Sequence, residues 1–346
     1  MSTKTPIFLT GATGYIGGSV LSRLLEHPSA DTFDITVLVR DGKKAQILES
    51  QFGVKAAVGT HQEHDKIEGL VENAHIVFHL PDPDDVPLIQ AILRGMRKRH
   101  AKLGDLPILI HTSGTGTLAD DARGVYPTDT IYDDLDVEQI KSIRPDAPHR
   151  PVDLLIAEAD TQGYVRAYIV LPSLIYGFAT HRLVKAGVSN SISIQIPFLI
   201  RASLARKQAG MIGQGKALWP DVHIDDIADL YLIVFNTAVR DADAAGHGWN
   251  GFYLGESGEH SWYQVSKAIG HVLVGLGISN DPEPTPFTSE ELVKYFGSEE
   301  VAFGTWGSNS RARGNRGRSI GWKPKHTAED MLKSITPEVE ALVKQR

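Results

Sequence analysis

The residues Thr10, Gly11, Ala12, Thr13, Gly14, Tyr15, Ile16 and Gly17 set three glycines at intervals of three between a short apolar run and an amphipathic stretch. A glycine in the first place permits a tight turn after a strand. The second lets backbone N–H groups approach a pyrophosphate at a helix N-terminus, and the third lets that helix pack on the strand. The chemistry indicated is dinucleotide binding; the bland alternative is a glycine-rich strand-to-helix turn. About 20 residues further on, where an acidic residue would hold a ribose 2′-hydroxyl, the chain reads Val39 and Arg40, with Lys43 and Lys44 close behind. A cation there suits a 2′-phosphate and favours NADP over NAD. Otherwise Arg40 simply ends a strand and the lysines open a solvated helix.

Such a loop must be carried by alternating strands and helices. Apolar runs at 6–10, 35–39, 54–58, 76–80, 108–110 and 167–171 have the length of buried strands. Between them, apolar residues recur at helical spacing, as in Ile16, Val20, Leu21 and Leu24, or Leu88, Ile89, Ile92, Leu93 and Met96. The alternation predicts an α/β fold: a doubly wound parallel Rossmann sheet covered on both faces. After Leu171 the rhythm changes. Residues 225–239 and 261–276 read as helices and 251–254 as a strand, with a proline-rich and arginine-glycine-rich stretch beyond. We expect a dinucleotide-binding unit over 1–172 and about 216–255, and a smaller, discontinuous C-terminal substrate lobe over about 173–215 and 256–346.

Composition narrows the chemistry. With 346 residues the chain can bury a core, and its net charge of −7 has the wrong sign for a general polyanion binder, so nucleic acid is not an expected partner. The absence of cysteine excludes disulfides, thiolate nucleophiles and cysteine metal sites. The longest apolar stretches, 192–199 and 230–235, fall far short of the roughly 20 residues of a membrane helix. With no recognisable targeting segment, a cytoplasmic location and no membrane partner are expected.

Residues 10–17 resemble the TGxxGxxG fingerprint of the extended short-chain dehydrogenase/reductases, the group of NAD-dependent epimerases and dehydratases. The likeness continues in order along the chain. Phe78 to Leu80 resembles that family's fourth strand, and Thr112 with Ser113 its serine segment. Leu171, Pro172, Ser173 and Ile175 to Gly177 resemble RPxxxYG, His223 to Asp226 the VHVDD motif, and Gly321 to Pro324 the LGWxP signature. The resemblance implies that Leu80, Pro81, Pro172 and Ser173 line the cofactor and that Ser113 polarises a substrate oxygen. It also implies a tyrosine general acid/base with a lysine four residues later, and a homodimer formed through two helices. The window for that pair reads His149, Arg150, Pro151, Val152 and Asp153, with neither residue present. Tyr263 and Lys267 have the spacing but lie beyond the sixth strand, where an exposed helix face produces it without chemistry.

Without that pair, hydride transfer to a carbonyl lacks its proton donor. Four-residue spacing places His149 and Asp153 on one helix face, where Asp153 could orient the imidazole as a general acid/base; the alternative is a surface histidine and a solvated aspartate. His79 and His111 end adjacent strands, either facing the crevice or as ordinary polar ends. His61 and His64 read as a surface turn, and no metal is expected. Arg94, Arg97, Lys98 and Arg99 suit a solvated helix end, while for Arg311, Arg313, Arg316 and Arg318 the resemblance implies a diphosphate grip and the residues themselves a flexible surface turn. Tyr176, Gln195 and His223 are expected to face a mainly apolar small-molecule pocket.

Three functions follow. The first is an atypical NADP-dependent oxidoreductase acting on a small carbonyl, alcohol or sugar-like substrate. The second is an isomerase, dehydratase or cyclase on the same scaffold using His149 and Asp153. The third is an NmrA-like dinucleotide-sensing protein without turnover.

Overall fold

A computed structural model describes residues 4–345. The chain runs through β1 (Thr5–Thr10), α1 (Tyr15–Leu25), β2 (Phe33–Val39), α2 (Gly42–Phe52), β3 (Lys55–Val58), α3 (His64–Glu72), β4 (Ile76–His79), α4 (Val86–Leu103) and β5 (Ile108–Thr112). An excursion carrying β6 (Tyr132–Asp133) and α5 (Val137–Lys141) leads to α6 (Arg150–Thr161), β7 (Arg166–Pro172) and β8 (Leu174–Tyr176). The main sheet has seven strands, in the order Phe252–Gly255, β7, β5, β4, β1, β2, β3, and every pairing within it is parallel. This is the doubly wound sheet expected from the alternation. The order reverses between β1 and β4, so the crevice opens at their carboxyl ends.

Two apolar cores cover the faces of this sheet. One packs α1 and the helix Ile224–Arg240 through Val20, Leu24, Tyr231 and Val234; the other packs α3, α4 and α6 through Val71, Ile92, Met96 and Ile156. A third core joins β8, the helices Gln195–Arg206, Trp262–Gly275 and Ala328–Lys344, and Trp219, Trp306 and Phe296. The strand Leu218–His223 pairs with β8 and with Gly258–Ser261 in a separate three-stranded sheet.

Chain position and packing part company at two places. Leu218–His223, expected with the dinucleotide-binding unit, pairs with lobe strands because β8 leaves β7 at once and offers it a partner. Conversely Ala179, Leu183, Val188 and Trp322, expected in the lobe, are buried in the core under α1. The Trp322 indole N–H also donates to the carbonyl of Asp226, at 2.8 Å.

Candidate functional site

The glycines do what their spacing requires. Gly11 adopts φ +80°, and a Cβ there would come within 2.9 Å of the Leu80 carbonyl carbon and the Pro81 nitrogen. A Cβ on Gly17 would stand 2.1 Å from the Gly11 oxygen, so helix and loop touch backbone to backbone. Gly14 is the N-cap of α1 and supplies no side chain to its first turn, leaving N–H groups directed at the crevice. A cradle of this shape fits a dinucleotide pyrophosphate. The segment after β8 lies against it. Ser189 Oγ donates to the Gly14 carbonyl at 2.9 Å, and the Asn190 N–H donates to Thr13 at 3.1 Å. Tyr15 turns inward instead, its hydroxyl donating to the Gly177 carbonyl at 2.5 Å, and Ile16 packs on the core. Their contribution to the cradle is therefore backbone only.

Arg40 ends β2 exposed and enters no ion pair among the described residues. Asp41 beside it is occupied as the N-cap of α2, accepting the N–H groups of Lys43 and Lys44 at 2.8 and 3.3 Å. At the far side of the crevice Ser173 Oγ donates to the Gly255 carbonyl at 2.8 Å, tying Pro172 and the end of β7 to the edge strand.

The chemistry gathers after β5. Ser113, buried, donates from Oγ to Asp153 Oδ2 at 3.0 Å. Asp153 is fully buried in the first turn of α6, and burial raises its pKa to about 7 against the lowering effects of the Ser113 hydrogen bond and the nearby Arg150. Behind it, His111 Nε2 lies 3.8 Å from Asp153 Oδ1, and His111 Nδ1 lies 2.7 Å from Nδ1 of His79. The two imidazoles stack with centroids 4.9 Å apart. Both are fully buried and held neutral, His79 down at about 3 and His111 well below its ordinary value, first by desolvation. They are strand ends turned inward to a partner rather than ordinary polar termini.

His149 does not pair with Asp153. It is the N-cap of α6 with φ +67°, outside the helix, so the four-residue face rule does not reach it. Its partner is Asp84, whose Oδ1 and Oδ2 stand 3.0 and 3.1 Å from Nδ1, and whose Oδ1 also accepts the His149 N–H at 2.9 Å. The other face of the ring meets the glycines that follow Ser113: a Cβ on Gly114 or Gly116 would lie 3.2 or 3.3 Å from Nε2. Sequence reasoning missed Asp84. The only signal was its place in the acidic loop Asp82, Pro83, Asp84, Asp85 at the carboxyl end of β4. A cavity of about 460 Å³ lies beyond these glycines, lined by Thr117, Leu118, Tyr132, Ile143, Ala147 and Arg311, and neither Ser113 nor His149 is on its wall.

The residues expected at the substrate are engaged inside the lobe. Tyr176 donates to the Thr327 carbonyl at 3.0 Å, and His223 caps its helix by accepting the Asp225 N–H at 3.2 Å while stacking on His326. Gln195 Nε2 reaches the Thr305 carbonyl at 3.4 Å. These contacts form because the lobe must satisfy its own buried polar groups.

The arginine run is neither a grip nor a flexible turn. Arg311 pairs bidentately with Glu259, Arg316 donates to the Asp134 carbonyl, and Arg318 pairs with Glu256. Tyr263 and Lys267 both bind Glu283 at the surface.

Among the described residues no helix is long and apolar enough to cross a membrane, and no group of three or more metal-ligating side chains is assembled.

Residues 3–92, which contain the fingerprint, match the NmrA-like family. Over 334 residues the chain is 27% identical to the oxidase ucsJ of an Acremonium species, covering 92% of each. Its fold is similar to UDP-glucuronic acid 4-epimerase from Bacillus cereus, solved with UDP-glucuronic acid and NAD, with TM-score 0.63, 15% identity and coverage of 98% and 100%. It is also similar to dTDP-glucose 4,6-dehydratase from Bacillus anthracis, solved with NAD, with TM-score 0.64, 14% identity and coverage of 97% of each chain. The chain thus joins a first segment that matches the NmrA-like family to a Rossmann fold similar to that of these epimerase and dehydratase structures.

Proposed function

We propose that this protein is an NAD(P)-dependent oxidoreductase that interconverts a small organic alcohol and its carbonyl. The observation that carries this reading is the His149 imidazole, fixed by Asp84 through Nδ1 and directed through Nε2 at the backbone beside Ser113. Donation of Nδ1–H to a carboxylate leaves a lone pair on Nε2, the tautomer of a general base. A nicotinamide cofactor would supply hydride exchange with a substrate carbon. Gly11, Gly14 and Gly17 would hold its pyrophosphate, and Ser113 Oγ orients the substrate oxygen. His149 Nε2 takes the hydroxyl proton in oxidation and returns it in reduction, while Asp84 stabilises the imidazolium formed. The likeness over 334 residues to a protein named an oxidase supports redox chemistry over isomerisation. Arg40, which enters no ion pair among the described residues and stands beside a preoccupied Asp41, favours NADP.

A second reading, dinucleotide sensing without turnover, draws on the NmrA-like match of residues 3–92, which ends before Ser113 and His149. One experiment separates the two. Purified protein with NADP or NAD is offered a panel of alcohols, and with the reduced cofactors a panel of carbonyls, following nicotinamide absorbance. Turnover that falls at least about tenfold in His149→Gln supports the oxidoreductase. Tight cofactor binding with no absorbance change across both panels overturns it.

A further inference from the structure

His79 and His111 are register partners on the adjacent parallel strands β4 and β5, which brings their rings together on one face of the sheet. Two Nδ1 atoms 2.7 Å apart share one proton: one ring donates and the other accepts. In a neutral pair, the ring that donates from Nδ1 has a bare Nε2, and the ring that accepts carries its proton on Nε2. The free ends of this pair are His79 Nε2 and His111 Nε2, both buried without a hydrogen-bond partner. His111 Nε2 faces Asp153 Oδ1, also buried and without one, at 3.8 Å. All three are unsatisfied polar atoms in a buried setting, which is costly.

We propose that His79, His111 and Asp153 form a proton relay that loads and unloads Asp153 from the His79 side and thereby sets the direction of the Ser113 hydroxyl. The proposal rests on the role given above to Ser113. With Asp153 ionised, His79 donates Nδ1–H to His111, whose Nε2–H points at Asp153 Oδ1. A proton from solvent, reaching His79 Nε2 from the side of half-buried His61, releases the Nδ1 proton to His111 Nδ1, and His111 passes its Nε2 proton to Asp153 Oδ1. One proton enters, both rings exchange tautomers, neither remains charged, and the carboxylate becomes a neutral acid. The last hop requires an approach of roughly 1 Å to reach hydrogen-bond length.

The surrounding charges are few. Arg150 and Asp84 act on Asp153, His149 acts on His111, and His61, half-buried near Arg40, Asp82 and Asp85, acts on His79. The shift of Asp153 to about 7 means that both end states are accessible near neutrality. Ionised Asp153 holds the Ser113 proton away from the substrate oxygen. Neutral Asp153 is a weaker acceptor, and the hydroxyl is free to donate to that oxygen, whether a carbonyl or the alkoxide that forms as His149 takes the alcohol proton. His79, His111 and Asp153 are thus positioning residues that act through Ser113.

The test is imidazole nitrogen NMR on the full chain labelled with ¹⁵N-histidine, without cofactor or substrate, from pH 5 to 9. His79→Phe and His111→Phe assign the signals. The expected result is a concerted exchange: His111 protonated on Nδ1 and His79 on Nε2 at low pH, the reverse at high pH. Asp153→Asn, whose amide donates permanently, should hold the low-pH pair at every pH. Tautomers that stay fixed across the range in the unsubstituted protein, or an imidazolium in either ring, overturn the relay, and this reading survives if a phenylalanine variant fails to fold. In turnover, His79→Phe should lower kcat on the order of tenfold with KM unchanged and remove the inflection near neutrality; an unchanged kcat and pH profile also overturns it. Because the NMR needs no turnover, tautomer exchange in a protein that transforms nothing would sink the oxidoreductase reading and leave the relay standing.

Discussion

Asp84 and His149, 65 residues apart, are joined twice: the carboxylate accepts the backbone N–H of His149 at 2.9 Å and the imidazole Nδ1 at 3.0 Å. The first bond fixes the entry to α6 and the second fixes the ring. A loop at the end of β4 therefore sets the orientation of a side chain that projects toward the end of β5.

Removing this carboxylate separates orientation from binding. Asp84→Ala should lower kcat by about 10- to 100-fold with little change in KM, because the ring loses its tautomer while the dinucleotide cradle and Ser113 are untouched. Steady-state kinetics with a substrate found in the panel checks this, and a melting curve alongside reports the loss of the backbone bond. Equal kcat in the variant would remove His149 from the proton path.

The cradle admits no side chain at its third glycine. Gly17→Ala should destabilise by about 2 kcal/mol or more and abolish dinucleotide binding, since the added methyl meets the Gly11 carbonyl at 2.1 Å and backbone has to move. Gly53→Ala is the comparison: it is a left-handed C-cap with open space around it, so its cost is backbone strain away from the crevice. Calorimetry of both, with and without NADP, should show the ligand-induced rise in Tm only for the second.

Cofactor choice is predicted to follow charge. Arg40→Ala should weaken NADP binding about tenfold or more, the weight of one charge-assisted hydrogen bond, and leave NAD affinity nearly unchanged; Lys44→Ala should act in the same direction. Fluorescence titration with each dinucleotide measures the ratio, and an equal loss for both would show that these cations read no 2′-phosphate.

Glu338 gives a pH dependence remote from the crevice. It is buried in the helix Ala328–Lys344, and desolvation lifts its pKa to about 7, against the lowering effects of a hydrogen bond from Gly177 and one with Ser334. Between an unfolded value near 4.3 and the folded value, the native state holds more protons than the unfolded chain, so this group makes stability fall as pH rises through that window. Glu338→Gln should therefore raise stability at pH 8 by up to about 3 kcal/mol and change little at pH 4. Melting curves at the two values test it; equal shifts at both would mean that the carboxyl does not titrate there.

Much of this was legible beforehand for a physical reason. Buried parallel strands carry unbroken apolar runs such as Ile76 to Phe78, and a pyrophosphate turn needs glycine where no other residue fits, as at Gly11 and Gly17. Ser113 could be placed by order along the chain. The partners could not. His149 leaves the helix by a positive φ that nothing in His149-Arg150-Pro151 announces, so periodicity paired it with Asp153, while its carboxylate waits in a different loop. The same holds for Arg311, Arg316 and Arg318. Their composition suggests an exposed basic run, but Glu259, Asp134 and Glu256 come from distant segments. Only the register of β4 against β5 brings His79 onto His111, and no local pattern encodes it.

The edge strand Phe252–Gly255 has a consequence for how the chain is made. Its partner β7 leaves the ribosome before the three-stranded sheet and the helix Ile224–Arg240, and Ile169 has no partner on that side until Phe252 emerges. During synthesis β7 is an open hydrogen-bonding edge of apolar residues, the kind that recruits other chains. The nascent protein should accordingly be most prone to aggregate, and most dependent on chaperones, in the interval between these two strands.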